Sequence, residues 1–252
     1  MPLADFRSPR LFVDAAFAAD ARVPLDRAQA NYLGNVLRLT AGSPILVFNG
    51  RDGEWRAAIG GGKRPDHLVI LNQTRPQDRL PDLTYAFAPL KHARLDYMVQ
   101  KAVEMGAATL QPVLTRHTQV NRVNVERMRA NVIEAAEQCG ILSVAAVHEP
   151  LALDRYLGAR TQERLLVFCD EAADLAPPVQ ALTGARTANG IDVLIGPEGG
   201  FADEERAALL RQPNILRLSL GPRILRADTA AVAALTLIQA VLGDWNSALT
   251  PA

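Results

Sequence analysis

Near residue 80 the spacing of the apolar residues changes, and the change restricts the chain to two different layered structures in series. Before it, short strands alternate with turns. Ile45–Phe48 is a compact apolar run that stops at Asn49-Gly50, a dipeptide suited to positive-φ turn positions. Glu54–Ile59 reads as its partner strand, Gly60-Gly61-Gly62-Lys63 as the next hairpin turn and Leu68–Leu71 as a further strand. Short strands at this interval predict a small β-barrel over 1–73. The stretch Asn72–Asp82 is polar and holds Pro76 and Pro81, which places a linker at 74–82.

From residue 83 strands and helices alternate. Leu83–Ala88 predicts a strand, Ala93–Met105 a helix with Leu95, Val99, Ala102 and Val103 on one face, and Gly106 its stop. Ala108–Leu114 is the next strand. Val123–Cys139 carries a helical stripe through Val125, Met128, Val132, Ala136 and Cys139, where the cysteine is expected to pack. Further strands are expected at Val144–Val147, Leu165–Cys169, Val193–Ile195 and Ile215–Leu218. Buried strands between helices predict an α/β domain over 83–252 with a mostly parallel sheet. The last helix, Thr229–Leu242, is apolar on nearly every face, so it must be covered by its own core or by a second subunit. The dimer is the favoured reading.

Composition excludes several classes. Formal net charge is zero over 252 residues, so no global field draws the chain to nucleic acid. The first 80 residues hold 11 Lys/Arg against 8 Asp/Glu, a mild local excess. Cys139 and Cys169 suit neither a disulfide framework nor a zinc site, and His67, His92, His117 and His148 lack metal-ligand spacing. No metal is expected. The start lacks a signal-peptide pattern and no apolar run is long enough to span a bilayer, so a cytoplasmic protein without a membrane is expected.

Two loops concentrate chemistry. Ile195-Gly196-Pro197-Glu198-Gly199-Gly200-Phe201 follows an apolar strand and leads to Asp203, Glu204 and Glu205, which suit a helix's first turn. Leu218-Ser219-Leu220-Gly221-Pro222-Arg223-Ile224-Leu225-Arg226-Ala227-Asp228-Thr229 delivers two arginines and an acid just before the apolar helix. The plain alternatives are a glycine-requiring turn for the first, and surface charge with an N-cap at Asp228 or Thr229 for the second. Charged groups at the carboxyl ends of strands are nevertheless where α/β sheets place ligands. There is no GxGxxG, no GxxxxGK[ST] and no GxSxG, so the common dinucleotide, P-loop and hydrolase sites are excluded.

These loops resemble the two cofactor motifs of the RsmE-type 16S rRNA uridine-N3 methyltransferases, a family of the knotted SPOUT superfamily. Gln100-Lys101-Ala102-Val103-Glu104-Met105-Gly106 and Glu134-Ala135-Ala136-Glu137-Gln138-Cys139-Gly140 are similar to further signatures of that family. So are Arg7-Ser8-Pro9-Arg10-Leu11-Phe12, Val36-Leu37-Arg38 and Val47-Phe48-Asn49-Gly50 in the first 73 residues. The chain departs from the pattern at Asp228 (usually Glu), Ile141 (commonly Arg), Tyr32 and Asn35 (frequently His and Arg) and His117.

The resemblance implies a PUA-like barrel followed by an α/β domain with a deep trefoil knot, a homodimer, and S-adenosylmethionine as cofactor. By motif position, the cofactor would be held by Gly196, Pro197, Glu198, Gly199, Gly200, Leu218, Leu220, Gly221, Ile224 and Leu225. The implied partner is 16S rRNA or the assembled small subunit, with Arg7, Arg10, Arg38, Lys101 and Gln138 as expected RNA contacts. Uridine N3 is protonated at neutral pH, so the reaction needs a base and donors for the carbonyl oxygens. Arg226 or Arg223 is expected to serve the oxygens, and Glu198 or Asp228 to be the base or to orient the arginine. The rival readings are a knotted methyltransferase acting on a ribose 2′-hydroxyl or on transfer RNA, and a silent RNA-binding protein of the same fold.

Overall fold

The computed structural model describes residues 5, 7–62, 64–120, 122–170, 176–185 and 189–246. The chain divides into two compact units, one of residues 1–79 with 136–144 and one of 80–135 with 145–252.

In the first unit, strands β1 (Arg10–Phe12), β2 (Arg22–Pro24), β3 (Pro44–Phe48), β4 (Glu54–Gly61) and β5 (Pro65–Arg75) form a sheet in the order β1-β3-β4-β5-β2. β1 runs parallel to β3, and the other pairs are antiparallel. The apolar runs of the sequence become its core, with Leu33, Ile45, Val47, Ala57, Leu68 and Ile70 almost wholly enclosed. Strand β4 runs two residues past the expected Ile59, so Gly60 and Gly61 (φ +114°) pair with β5 instead of forming the turn. Gly62 follows the strand, and Lys63 lies outside the described residues.

Helix α1 (Arg27–Asn31) opens on a capping box in which Asp26 accepts from Gln29 N at 2.8 Å. It runs directly into a π-helical turn, Tyr32–Val36, closed by Leu37 N donating to Tyr32 O at 2.9 Å. Arg38 follows in the left-handed region at φ +55°. Neither irregularity has a signal in apolar spacing. Such features cost energy and cluster at functional surfaces.

Residues 136–144 pack in this unit. Phe48, Ala136 and Leu142 form a small core with Phe12, Ile141 and Val144 against it. Phe12 N donates to Glu137 Oε1 at 2.8 Å, and Ser143 Oγ donates to Asp78 Oδ1 at 2.7 Å. Two sequence signatures far apart in the chain, RSPRLF and EAAEQCG, thus meet in one packed cluster.

The second unit is a parallel sheet of seven strands among the described residues. It holds β6 (Leu83–Phe87), α2 (His92–Glu104), β7 (Thr109–Leu114) and most of α3 (Val125–Cys139). Next come β8 (Ala146–Val147), β9 (Leu151–Ala152), α4 (Leu153–Ala159), β10 (Leu165–Cys169) and α5 (Pro178–Thr183). β11 (Ile191–Ile195), α6 (Asp203–Leu210), β12 (Ile215–Leu218) and α7 (Ala227–Val241) complete it. The order is β12-β10-β11-β6-β7-β8, with β9 on β7. β6, β10 and β11 are buried along nearly their whole length, as strands covered on both faces must be. On one face Ala86, Leu166, Phe168 and Leu194 pack with Tyr156, Leu157 and Leu209.

Several boundaries shift for identifiable reasons. β11 begins two residues before the expected Val193 because buried Asp192 is neutralised by Arg164 at 2.7 Å and Arg160 at 3.4 Å. The strand expected at Val144–Val147 shrinks to Ala146–Val147, since Val144 packs in the first unit. Cys139 is a correction to the packing expectation: it ends α3 exposed, while Val125, Met128, Val132 and Ala136 of the same stripe are buried. The N-cap of α7 is Arg226, neither Asp228 nor Thr229.

α7 is only half satisfied by its own chain. Ala231, Ala234, Leu235 and Ile238 are buried, whereas Val232, Ala233 and Leu237 remain partly exposed. Buried Gln239 donates to Met105 O at 2.7 Å and accepts from Asp244 N at 3.2 Å. It thereby closes the end of α2 where Gly106 turns at φ +80°.

Candidate active site

The sheet reverses its direction of growth between β11 and β6: β7 and β8 lie to one side, β10 and β12 to the other. At such a switch point the loops leaving neighbouring strands separate and open a crevice at the carboxyl edge. A cleft of about 430 Å³ lies among the segments that follow β6, β7 and β11. It is lined by Leu90, Lys91 and Arg94, by His117 and Gln119, and by Pro197 and Glu198.

The loop after β11 is built tightly. Gly200 N donates to Pro197 O at 2.9 Å and Gly200 sits at φ +70°. A Cβ on Gly196 would stand 2.5 Å from the Phe201 ring, so only glycine lets that ring fold back under the loop. Phe201 then meets Phe168 edge to face at 5.3 Å between ring centres, which anchors the loop to the core. Asp203, Glu204 and Glu205 occupy the first turn of α6 as expected. Glu205 accepts from Ala202 N at 3.0 Å and from Arg116 N at 2.8 Å, tying the segment after β7 to the same place.

His117 contacts the carbonyl of Gly200 through Nδ1 at 3.0 Å. A carbonyl only accepts, so Nδ1 carries the proton, and in the neutral ring Nε2 is left as an acceptor. Glu198 pairs with Arg94, on the first turn of α2, rather than with either arginine of the second loop. Arg94 had no distinguishing feature in the sequence; its place just past the carboxyl end of β6 is the one signal that points to it.

The loop after β12 lies on the same edge, separated from the β11 loop by β10. Strand spacing puts the two loops about 10 Å apart. Leu218 is fully buried, Leu220 and Leu225 are half-buried, and Ile224 is 95 % exposed. Gly221 stands at φ +100° with open space around the position a Cβ would take. Arg223 and Arg226 are exposed and meet no hydrogen-bond partner among the described residues, and Asp228 accepts from Thr229 N at 2.8 Å. The expected arginine–carboxylate grouping is therefore not assembled within this loop.

Asp170, at the end of β10, was also missed by sequence reading. It is buried, its Oδ2 lying 2.9 Å from Nη2 of both Arg206 and Arg217. Its backbone N donates to Leu218 O at 3.1 Å. Arg206 comes from the helix after the first loop and Arg217 from the strand before the second, so one carboxylate holds both loops to β10. Beside it, burial pushes the Cys169 thiol up to about 12, which removes thiolate chemistry at neutral pH.

These residues fit a ligand held by backbone groups. Gly221 leaves open backbone, and Ile224 is a 95 % exposed apolar side chain on the same loop. Among the described residues no cluster of His, Cys, Asp and Glu is arranged for a metal, and no helix is long and apolar enough to cross a membrane.

The expected RNA contacts separate into two groups. Arg7, Arg38 and Gln138 are exposed, and Lys101 is half-buried, paired with Glu104 at 2.7 Å and lying 5.5 Å from the Tyr97 ring centre. Arg10 corrects the expectation. It is 6 % exposed and its guanidinium is committed to Glu54 Oε2 at 2.8 Å, Asp5 O at 3.0 Å and Glu137 O at 3.3 Å. No face is left for a phosphate.

Fold and site define an RNA methyltransferase domain behind a PUA domain: residues 77–239 match the RNA methyltransferase domain family and residues 25–70 the RNA methyltransferase PUA domain. The ribosomal RNA small subunit methyltransferase E of Synechocystis sp. is 32 % identical over 92 % of this chain and 78 % of its own length. The chain belongs to the ribosomal RNA small subunit methyltransferase E family. A Legionella pneumophila protein solved with bound SAM superposes with a TM-score of 0.81 at 27 % identity, covering 93 % of this chain and 98 % of that one. The Neisseria gonorrhoeae ribosomal RNA small subunit methyltransferase E, bound to S-adenosyl methionine, gives 0.79 at 26 % identity over 92 % and 97 %.

Proposed function

We propose that this chain methylates uridine N3 in small-subunit ribosomal RNA, using S-adenosylmethionine. The observation that carries the reading is the pair of glycine-containing loops at the carboxyl ends of β11 and β12, held to β10 through Asp170 in a family of RNA methyltransferases. Bound S-adenosylmethionine supplies a methyl group activated by a sulfonium. The chain's part is to bind it through Gly196, Pro197, Glu198, Gly199, Gly200, Leu218, Leu220, Gly221, Ile224 and Leu225, mainly by backbone groups. Residues 1–73 act as the RNA-binding domain, 74–82 as the connection and 83–252 as the methyltransferase domain.

Turnover requires removal of the N3 proton and stabilisation of charge on the flanking carbonyl oxygens. Arg226 and Arg223 are suited to the oxygens, being exposed with no hydrogen-bond partner among the described residues to give up. Glu198 and Asp228 are suited to the base. Arg7 and Arg38, both exposed, are suited to phosphate, with Lys101 and Gln138 as further contacts. A dimer packed through the half-exposed stripe of α7, a knotted backbone and a cytoplasmic location belong to the same reading.

Nucleoside mass spectrometry of ribosomal RNA from a deletion strain tests it. Loss of 3-methyluridine is expected; loss of a 2′-O-methyl mark, or no change, overturns it. Arg226→Ala is expected to lower turnover far more than cofactor affinity, and equal loss of both would remove that assignment.

A further inference from the structure

The Arg94–Glu198 pair has no evident structural purpose. Each side chain is 42 % exposed, and ion pairs open to solvent to that degree contribute little to stability. Both line the cleft at the β11/β6 switch point, together with Lys91 and His117, and Glu198 belongs to the first cofactor loop. The cleft's volume, about 430 Å³, is in the range of small-ligand sites.

A guanidinium carries five N–H donors and no acceptor, and a carboxylate only accepts. Side by side, the pair presents a donor next to an acceptor, with guanidinium N–H groups to spare. The imide edge of uracil presents the complement: a carbonyl oxygen that accepts next to an N3–H that donates. Resting on the uridine-N3 reading above, we propose that Arg94 and Glu198 together read the uracil imide edge, Arg94 donating to the O4 carbonyl and Glu198 accepting N3–H. Cytosine reverses both groups. Its amino N–H would face the guanidinium and its bare ring nitrogen would face the carboxylate, leaving both side chains mispaired. Sites that hydrogen-bond their substrate reject such mismatches strongly.

The same contact prepares the transfer. The N3 proton passes to a Glu198 carboxylate oxygen. The electron pair left on N3 forms the N–CH3 bond as the methyl–sulfur bond of the donor breaks and the sulfonium charge is lost. Charge that spreads onto O4 during this step is held by the Arg94 N–H groups. Glu198 then returns its proton to water, and Arg226 remains available to the second carbonyl.

The test uses the full chain with Arg94→Ala, Arg94→Lys and Glu198→Gln, each checked for an unchanged thermal melt. Equilibrium binding of oligouridylate and oligocytidylate of equal length, without cofactor, reads the recognition. Methylation of small subunits that lack the mark reads the chemistry. The wild type is expected to prefer oligouridylate, and Arg94→Ala and Glu198→Gln to abolish the preference. Glu198→Gln should lower kcat by about 100-fold or more with KM little changed. Arg94→Lys should recover part of the Arg94→Ala loss, since it restores a donor without the planar fork. An active wild type whose variants keep its preference and its kcat overturns this proposal alone, while a wild type that makes no 3-methyluridine overturns the functional reading beneath it as well.

Discussion

Arg10 donates from Nε to Glu54 Oε2 at 2.8 Å, with both side chains at least 97 % enclosed (3 % and 2 % exposed). Arg75 adds Nε to Oε1 at 3.1 Å and Nη2 to Oε2 at 3.0 Å, and Thr74 Oγ1 donates to Oε1 at 2.8 Å. Both arginines also donate to the 136–144 segment, Arg75 to Gly140 O at 2.8 Å. Glu54→Gln should destabilise the first unit by about 3–5 kcal/mol, because it leaves two largely buried guanidinium groups without their counter-charge. Denaturant melts of the two proteins measure this, and a loss below about 1 kcal/mol would contradict it.

Acid should act through the same carboxylate. Burial alone would raise Glu54, but hydrogen bonds from Arg75, Arg10 and Thr74 outweigh it and hold the group below its usual 4.5. A carboxylate depressed on folding contributes stability that is complete above its unfolded-state value and is lost as pH falls through the folded-state value. Stability should therefore decline below about pH 4.5, and Glu54→Gln should flatten that decline. Equal acid slopes in both proteins would show that other groups govern it.

Asp170 offers a test of loop alignment. Asp170→Asn leaves Arg206 and Arg217 facing a neutral group in a buried place. A weakened tie between β10 and both loops should lower S-adenosylmethionine affinity on the order of tenfold or more, at about 1.4 kcal/mol per decade. Calorimetric titration reads this, and unchanged affinity would mean the loops hold their alignment without the aspartate.

Gly196→Ala places a methyl group against the Phe201 ring. Overpacking of this kind costs about 1–3 kcal/mol and should displace the first loop. The expected result is a lower melting temperature together with weaker cofactor binding. A variant that binds normally would show that Phe201 moves aside freely.

The two cysteines should separate chemically. Exposed Cys139 should react with iodoacetamide at pH 8, whereas Cys169, its thiol raised to about 12 by burial, should not. Peptide mass spectrometry after brief labelling distinguishes them, and faster modification of Cys169 would contradict the burial.

Apolar spacing was sufficient to place β3, β6, β7, β10 and α2 to within a few residues, because each has a regular buried face. It missed the π turn at Tyr32–Val36 and the left-handed Arg38, where backbone geometry departs from any period. It cut β11 short at Asp192, since the charge is tolerated there only through Arg160 and Arg164, residues distant in sequence. The family resemblance offered Arg10 to RNA, because an arginine in a shared motif looks alike whether it faces water or a buried glutamate.

What the sequence by itself determined is the order of elements, the change near residue 80 from short strands and turns to alternating strands and helices, and the two glycine-containing loops that follow β11 and β12. Local backbone preference and burial period are written in neighbouring residues, and motifs survive as continuous strings. Only the tertiary structure decided which charges meet: Arg94 with Glu198, Arg206 and Arg217 with Asp170, Arg10 and Arg75 with Glu54. The partners in each of these pairs lie 21 or more residues apart, and their pairing follows from strand order and packing, which side-chain chemistry along the chain does not encode locally.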